Sequence, residues 1–168
     1  APHEGRRHPG QERGAIAVVF GMGQLPDCPA AQARFPEILG LQPGAPYFEP
    51  LLRADADAMQ TRYANLGYQT ATVAVSPNFS ADRAEANPVF TVREGPRLLV
   101  DHVLIVGNVR TATDTIEREL QLKVGDPLSP QAVNESQRRL AALGLFRRIR
   151  ITEIRHGEET RRDVVITV

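Results

Sequence analysis

The sequence predicts an α+β fold made of two tandem domains, each with the element order β-α-α-β-β. Two observations support this prediction. The segment Leu39-Gly-Leu-Gln-Pro-Gly-Ala-Pro46 is similar to Leu120-Gln-Leu-Lys-Val-Gly-Asp-Pro127, so the chain contains an internal repeat. The hydrophobic periodicity also changes in the same order in both halves, from a strand pattern to helical patterns and back to strands.

The repeat predicts the domain boundaries. Residues 1–13 contain almost no apolar side chains, so we expect a disordered arm, either native or left over from recombinant expression. Residues 14–95 and 96–168 are predicted to form domain 1 and domain 2, with Gly95 and Pro96 as a restricted hinge between them. Because the second repeat stops where the first continues, we expect the chain to be part of a longer polypeptide.

The first repeat begins with a strand rich in β-branched residues and continues with two helices. Pro50 suits the first turn of the second helix, and Met59 and Tyr63 then fall on one helical face. Two strands follow, separated by a stretch rich in turn-forming residues. The predicted ranges are 15–20 for the first strand, 30–39 and 50–66 for the helices, 72–75 and 89–92 for the later strands, and 76–88 for a long hairpin loop.

The second repeat follows the same order with clearer helix signals. Thr111 with Asp114 is typical of a capping signal, and Ser129-Pro130 is a good N-cap and N1 pair for the next helix. The predicted strands are 100–106, a segment around Ile149 and Ile151, and 164–168. The predicted inner helix faces carry Ile116, Leu120, Val133, Leu140 and Leu143.

Composition excludes several function classes. The 20 Lys and Arg residues are balanced by 20 Asp and Glu residues, which argues against a general binder of polyanions. The single Cys28 permits no internal disulfide and no cysteine-based zinc site. The sequence contains no apolar run of about 18 residues, so it predicts no transmembrane helix.

Individual residues predict no catalytic, cofactor or metal site. Gly21 and Gly23 follow a strand but complete no dinucleotide-binding fingerprint. Asp55 and Asp57 lack the glycine turn and distal glutamate of a calcium loop, so we expect a solvated helix face. The four histidines show no metal-ligand spacing, and no set of acid, base and nucleophile is present.

The second repeat is rich in arginine. We expect a solvated face with ion pairs, since acidic residues offset more than half of this charge. The functional alternative is docking to acidic partner segments or to lipid headgroups near a membrane surface. The arginines concerned are Arg138, Arg139, Arg147, Arg148, Arg150, Arg155, Arg161 and Arg162.

A KH-type RNA-binding module is a remote alternative, because its element order is similar. Such a module needs a short Gly-x-x-Gly loop between its helices, where backbone amides approach phosphates. Neither Gly40-Leu-Gln-Pro-Gly44 nor Leu122-Lys-Val-Gly-Asp-Pro127 is that loop. Together with the zero net charge, this predicts no nucleic-acid partner.

Several motifs resemble those of a known family. The second repeat carries Val103-Leu-Ile-Val-Gly-Asn108 and Leu143-Gly-Leu-Phe146, and the first carries Gly44-Ala-Pro-Tyr47 and Phe90-Thr-Val-Arg-Glu-Gly-Pro96. As a set they resemble the POTRA domains of the Omp85 (BamA-like) outer-membrane assembly family. The resemblance covers about residues 15–168.

The resemblance implies both a fold and a function. It implies that two helices cover one face of a three-stranded mixed sheet, whose edge strand follows the second helix. It also implies non-enzymatic periplasmic modules, next to further POTRA domains and a β-barrel that this chain lacks. Such modules receive unfolded outer-membrane or secreted polypeptides and dock accessory assembly subunits. A two-partner secretion transporter with one dedicated client is the alternative within this class.

The expected edge strands are the candidate binding sites. An unpaired edge offers backbone N–H and C=O groups to another extended chain. The first candidate is small and uncharged, which favours client contact, whereas arginines on the second favour blocking. The candidates are Thr70, Ala71, Thr72, Val73, Ala74 and Val75 in the first repeat, and Arg148, Ile149, Arg150, Ile151 and Thr152 in the second.

Overall fold

The computed structural model describes residues 17–20, 40, 46–82, 86–155 and 159–168. The chain divides into two compact units, one formed by residues 1–60 and 72–93, the other by residues 61–71 and 94–168. The predicted disordered arm and the predicted helix at 30–39 lie outside the described residues.

The first unit contains a mixed three-stranded sheet. Its elements are β1 (Ala17–Phe20), the helix α1 (Glu49–Asn65, whose last turn belongs to the second unit), β2 (Thr72–Phe79) and β3 (Ala86–Arg93). The strand order is β1-β3-β2, with β1 parallel and β2 antiparallel to β3. The central strand β3 alternates between buried and half-buried side chains, as expected for a strand with one face on a core. The buried residues of this unit include Leu52, Ala56 and Met59 from α1 and Ala86, Phe90 and Val92 from β3.

The predicted hairpin loop is too long. Residues 76–79 continue β2 and residues 86–88 begin β3, so the two strands are paired over eight positions. The two prolines in this stretch, Pro77 and Pro88, lie directly opposite each other. Between β2 and β3 the missing N–H of each of these prolines points away from the opposite strand, so the pair does not interrupt this ladder.

The second unit repeats the sheet topology. Its elements are β4 (Leu99–Val106), α2 (Thr113–Glu117), α3 (Pro130–Ala142), β5 (Arg150–Arg155) and β6 (Arg161–Thr167). The strand order is β4-β6-β5, with β4 parallel and β5 antiparallel to β6. The predicted α+β fold with two mixed sheets is therefore confirmed.

One hydrophobic core joins the sheet and helices of the second unit. Each of its core residues is at most 8% exposed, and Val133 and Leu143 pack against them as predicted. Ser136 is also buried; its hydroxyl donates to Ala132 O and accepts the N–H of Gln121, which satisfies the polar group. The core residues are Leu98, Val100, Ile116, Leu120, Leu122, Leu128, Leu140, Val164 and Ile166.

The two predicted helix caps have different outcomes. Ser129 is the N-cap of α3 and accepts the N–H of Ala132, with Pro130 in the first turn. The predicted cap at Thr111 is wrong, because α2 begins at Thr113 and its N-cap, Ala112, makes no side-chain capping bond. Asn108 instead donates to Thr111 O and Thr113 Oγ1. Within the described part of the chain, no helix is long and apolar enough to span a bilayer.

Candidate functional site: the free edges of the sheets

The strand β2 lies at an edge of the first sheet. Among the described residues its backbone pairs with β3 alone. Of the six predicted edge residues in this repeat, Thr72–Val75 lie in β2, whereas Thr70 and Ala71 come just before it.

The opposed prolines determine which backbone groups of β2 point outward. In an antiparallel ladder, opposite residues alternate between pairs that exchange hydrogen bonds and pairs whose N–H and C=O groups point away from each other. Pro77 and Pro88 have no N–H, so their pair must be of the second kind. By this alternation, the backbone N–H and C=O groups of Val73 and Val75 point away from β3, whereas those of Ala74 are hydrogen-bonded to Thr91.

Among the described residues, the part of the β2 backbone that stays unpaired forms a short window. Val73 and Val75 each present an N–H and a C=O, and Pro77 presents a C=O without a donor. Ala71 lies two residues before Val73 and belongs to the same alternating series, but its N–H already donates to Tyr68 O at 3.0 Å. Between Ala71 and Pro77, the residues that offer both an outward N–H and an outward C=O are therefore Val73 and Val75.

The described side chains around this window are short and uncharged. None of the eight residues of β2 is charged. Thr72, Ala74 and Ser76 are exposed and small, while Val73 and Val75 are half-buried on the other face. An extended chain can approach such an edge without displacing long or charged side chains.

The strand β5 lies at the matching edge of the second sheet. Arg150, Ile151 and Thr152 lie in it, but the predicted strand begins too early, because Arg148 and Ile149 precede it. The N–H of Val168 donates to Val106 O, so the backbone groups of Val168 point toward β4. Because these directions alternate along the strand, the backbone groups of Thr167 point toward β5. Thr167 pairs with Arg150, which leaves Ile151, Glu153 and Arg155 as the residues whose backbone points outward.

Charged side chains distinguish β5 from β2. Three of its six residues, Arg150, Glu153 and Arg155, are charged and exposed. Gln69 donates to Glu153 Oε1 at 3.4 Å, within the second unit. Arg148 and Arg150 also line an open groove of about 280 Å³ with Thr167 and Val168. Charges on an edge strand oppose pairing with another strand, because pairing would bring them against a second backbone with less water around them.

The opposite edge of the second sheet is partly covered by the chain itself. Beside β4, Val100 donates to Asp126 O and accepts from Gly125, while Leu128 donates to Leu98 O. The loop at 125–128 therefore closes the first part of this edge.

A polar cluster on the second sheet was missed by sequence reasoning. A register shift between Val100 and Val103 sets two residues of β4, Asp101 and His102, opposite Asp163 of β6. Such a bulge turns consecutive side chains to one face. His102 Nδ1 lies 2.9 Å from Asp163 Oδ1 and 3.4 Å from Asp101 Oδ2.

By ligand type, these three residues could hold a metal ion. Arg161, however, already donates to Asp101 Oδ1 at 2.8 Å, so an ion would have to compete with a guanidinium. We therefore interpret the cluster as a polar link between β4 and β6.

Other predicted residues also have defined places. Arg138 and Arg139 pair with Glu135, and buried Arg162 donates to Arg161 O, so much of the arginine surplus is bonded within the unit. The prediction that Asp55 is solvated is wrong: it is buried and accepts the N–H of Gly40 at 2.7 Å. Asp57 is exposed, as predicted.

The predicted hinge residues lie in the second unit. Gly95 has a φ of +72°, and a Cβ at this position would collide with Thr70 Oγ1, so glycine is required here. The segment that follows is bonded at two points: Arg97 Nε donates to Leu66 O at 3.0 Å, and Leu98 N to Gly67 O at 2.8 Å. The hinge itself stays a prediction.

Comparison with known proteins identifies the family. A family profile described as POTRA, surface antigen variable number repeat, matches residues 32–95 and 99–168. The chain belongs to the POTRA family. The two matches correspond to the two repeats, and the predicted resemblance is confirmed.

Individual relatives are distant. The chain is 24% identical over 144 residues to the outer membrane protein assembly factor BamA of Neisseria meningitidis serogroup B, covering 86% of this chain and 17% of that protein. It is similar to BamA from Haemophilus ducreyi lacking POTRA domains 1–3, with a TM-score of 0.69, 19% identity and coverage of 91% of this chain and 28% of that one. It is also similar to POTRA3–5 of Haemophilus influenzae BamA, with a TM-score of 0.61, 22% identity and coverage of 95% and 61%. The chain thus spans a small part of the length of its curated relative.

Proposed function

We propose that these two POTRA domains are periplasmic docking modules that receive unfolded outer-membrane or secreted polypeptides by strand addition at β2. The modules carry out no covalent chemistry. Their accessory partners are assembly subunits, neighbouring POTRA domains and a β-barrel of the same polypeptide. Membership in the POTRA family and similarity to a BamA assembly factor support this assignment.

The observation that carries the proposal is the backbone at Val73 and Val75, which lies in an uncharged strand and pairs with no other described residue on its outer side. Main-chain hydrogen bonds do not depend on the client's side chains, so one edge can receive many sequences. A typical hydrogen bond contributes only about 1 kcal/mol net, so a few of them give weak and reversible attachment. Weak attachment suits a module that must release its client.

Replacing Val75 by proline tests the proposal. The substitution removes one outward N–H and leaves the bonds to β3 in place, so the fold should persist while client affinity falls at least fivefold. The probe is a fluorescent ten-residue peptide of alternating apolar and polar residues, and the measurement is anisotropy.

Two matched controls isolate the backbone effect. Val75→Ala removes most of the side chain but keeps the N–H, and should bind nearly as well as the unmodified chain. Ile151→Pro places proline at the equivalent outward position of β5 and should leave binding unchanged. Equal binding by Val75→Pro and Val75→Ala in folded proteins would contradict the proposal. Comparing the binding of many unrelated peptides with the binding of one dedicated exoprotein would distinguish broad reception of clients from two-partner secretion.

A further inference from the structure

The position of Pro77 limits how much of β2 another chain can use. Its N–H is missing on the outward side, at the residue that follows Val75 in the outward-pointing series. A chain that continued along β2 past this point would place a carbonyl against the proline ring, where no donor exists. The next outward residue, Phe79, is therefore separated from Val75 by an interruption in the donor series.

The other end of the window is also closed. Ala71 precedes Val73 in the same series, and its N–H is already bonded to Tyr68 O. A paired chain can thus find complete donor–acceptor pairs at two consecutive outward positions only, Val73 and Val75.

We propose that Pro77 is a specificity residue that ends client pairing, so that the client strand is aligned on Val73 and Val75. The occupant is an extended segment of unfolded polypeptide, and the inference rests on the proposed function. A short window keeps each attachment weak, and it prevents a client from adding a full-length strand along all eight residues of β2. The interruption also opposes edge-to-edge pairing between two copies of this chain, which is a known use of proline on edge strands.

Amide hydrogen exchange followed by NMR on the full chain tests the inference. In the free protein, the amides of Val73 and Val75 should exchange rapidly, whereas those of Ala74 and Ser76 should be protected by β3. Saturation with the alternating ten-residue peptide should slow exchange at Val73 and Val75 at least tenfold and leave Phe79 unchanged.

The variant Pro77→Thr restores the missing donor. It should extend the protected segment to Phe79 and raise the affinity for the peptide about fivefold for each added hydrogen bond. Ser76→Ala is the matched control, since the Ser76 N–H faces β3 in both proteins. Circular dichroism checks that each variant is folded, and the exchange pattern of the unmodified chain decides the question even if Pro77→Thr does not fold.

The outcomes separate the two proposals. Protection of Phe79 by the peptide in the unmodified chain would overturn the role of Pro77 and leave strand addition at β2 standing. Absence of peptide binding, or protection restricted to β5, would overturn the proposed function itself. Protection limited to Val73 and Val75, extended in Pro77→Thr, supports both.

Discussion

The edges formed by β2 and β5 occupy equivalent places in the two sheets, yet they differ in chemistry. Both strands follow the last helix of their unit and pair antiparallel with the central strand. The strand β2 carries no charge and contains a proline, whereas half of the residues of β5 are charged. Equivalent topology therefore does not imply equivalent edge chemistry, and we expect the side chains to decide whether an exposed backbone is accessible to a partner.

The largest expected effect comes from placing proline at a position of β2 whose backbone N–H points toward β3. Ala74→Pro removes the N–H that bonds to β3 and should lower the free energy of unfolding by at least about 2 kcal/mol. Val75→Pro, one residue further on, should cost much less. Urea denaturation followed by circular dichroism measures both. Equal losses would show that the assigned alternation along β2 is wrong.

An intermediate effect is expected from removing the charges of β5. In a Val75→Pro background, the triple variant Arg150→Thr, Glu153→Thr and Arg155→Thr should bind the alternating peptide about tenfold better than Val75→Pro alone. The charge-preserving triple variant Arg150→Lys, Glu153→Asp and Arg155→Lys is the control and should not gain affinity. If the neutral variant gains nothing either, charge is not what separates the two edges, and the comparison fails.

A smaller effect is expected from adding a charge beside the β2 window. Ser76 is exposed and lies next to Val75. Ser76→Arg should lower peptide affinity two- to fivefold, whereas Ser76→Thr should not. Titration at several salt concentrations completes the measurement, since a loss caused by removing water from the charge should persist at high salt when the peptide carries no net charge. A loss that is the same for arginine and threonine would indicate crowding instead.

Sequence reasoning succeeded where the signal is local. The Ser129-Pro130 helix start, the α1 face with Met59 and Tyr63, and the β-branched strands were all recognised from neighbouring residues. It failed where a proline pattern suggested a loop: Pro77 and Pro88 are typical of turns, but a partner strand makes them compatible with a ladder. The cluster of Asp101, His102 and Asp163 escaped notice because it depends on a bulge between strands that are about 60 residues apart.

The sequence by itself determined the repeat, the order of elements and the faces that pack on the two cores, because the periods of strands and helices are properties of neighbouring residues. The tertiary structure alone decided which backbone groups of β2 point away from β3. Each N–H points inward or outward according to the register with a strand elsewhere in the chain, and only that pairing selects Val73 and Val75 over Thr72 and Ala74.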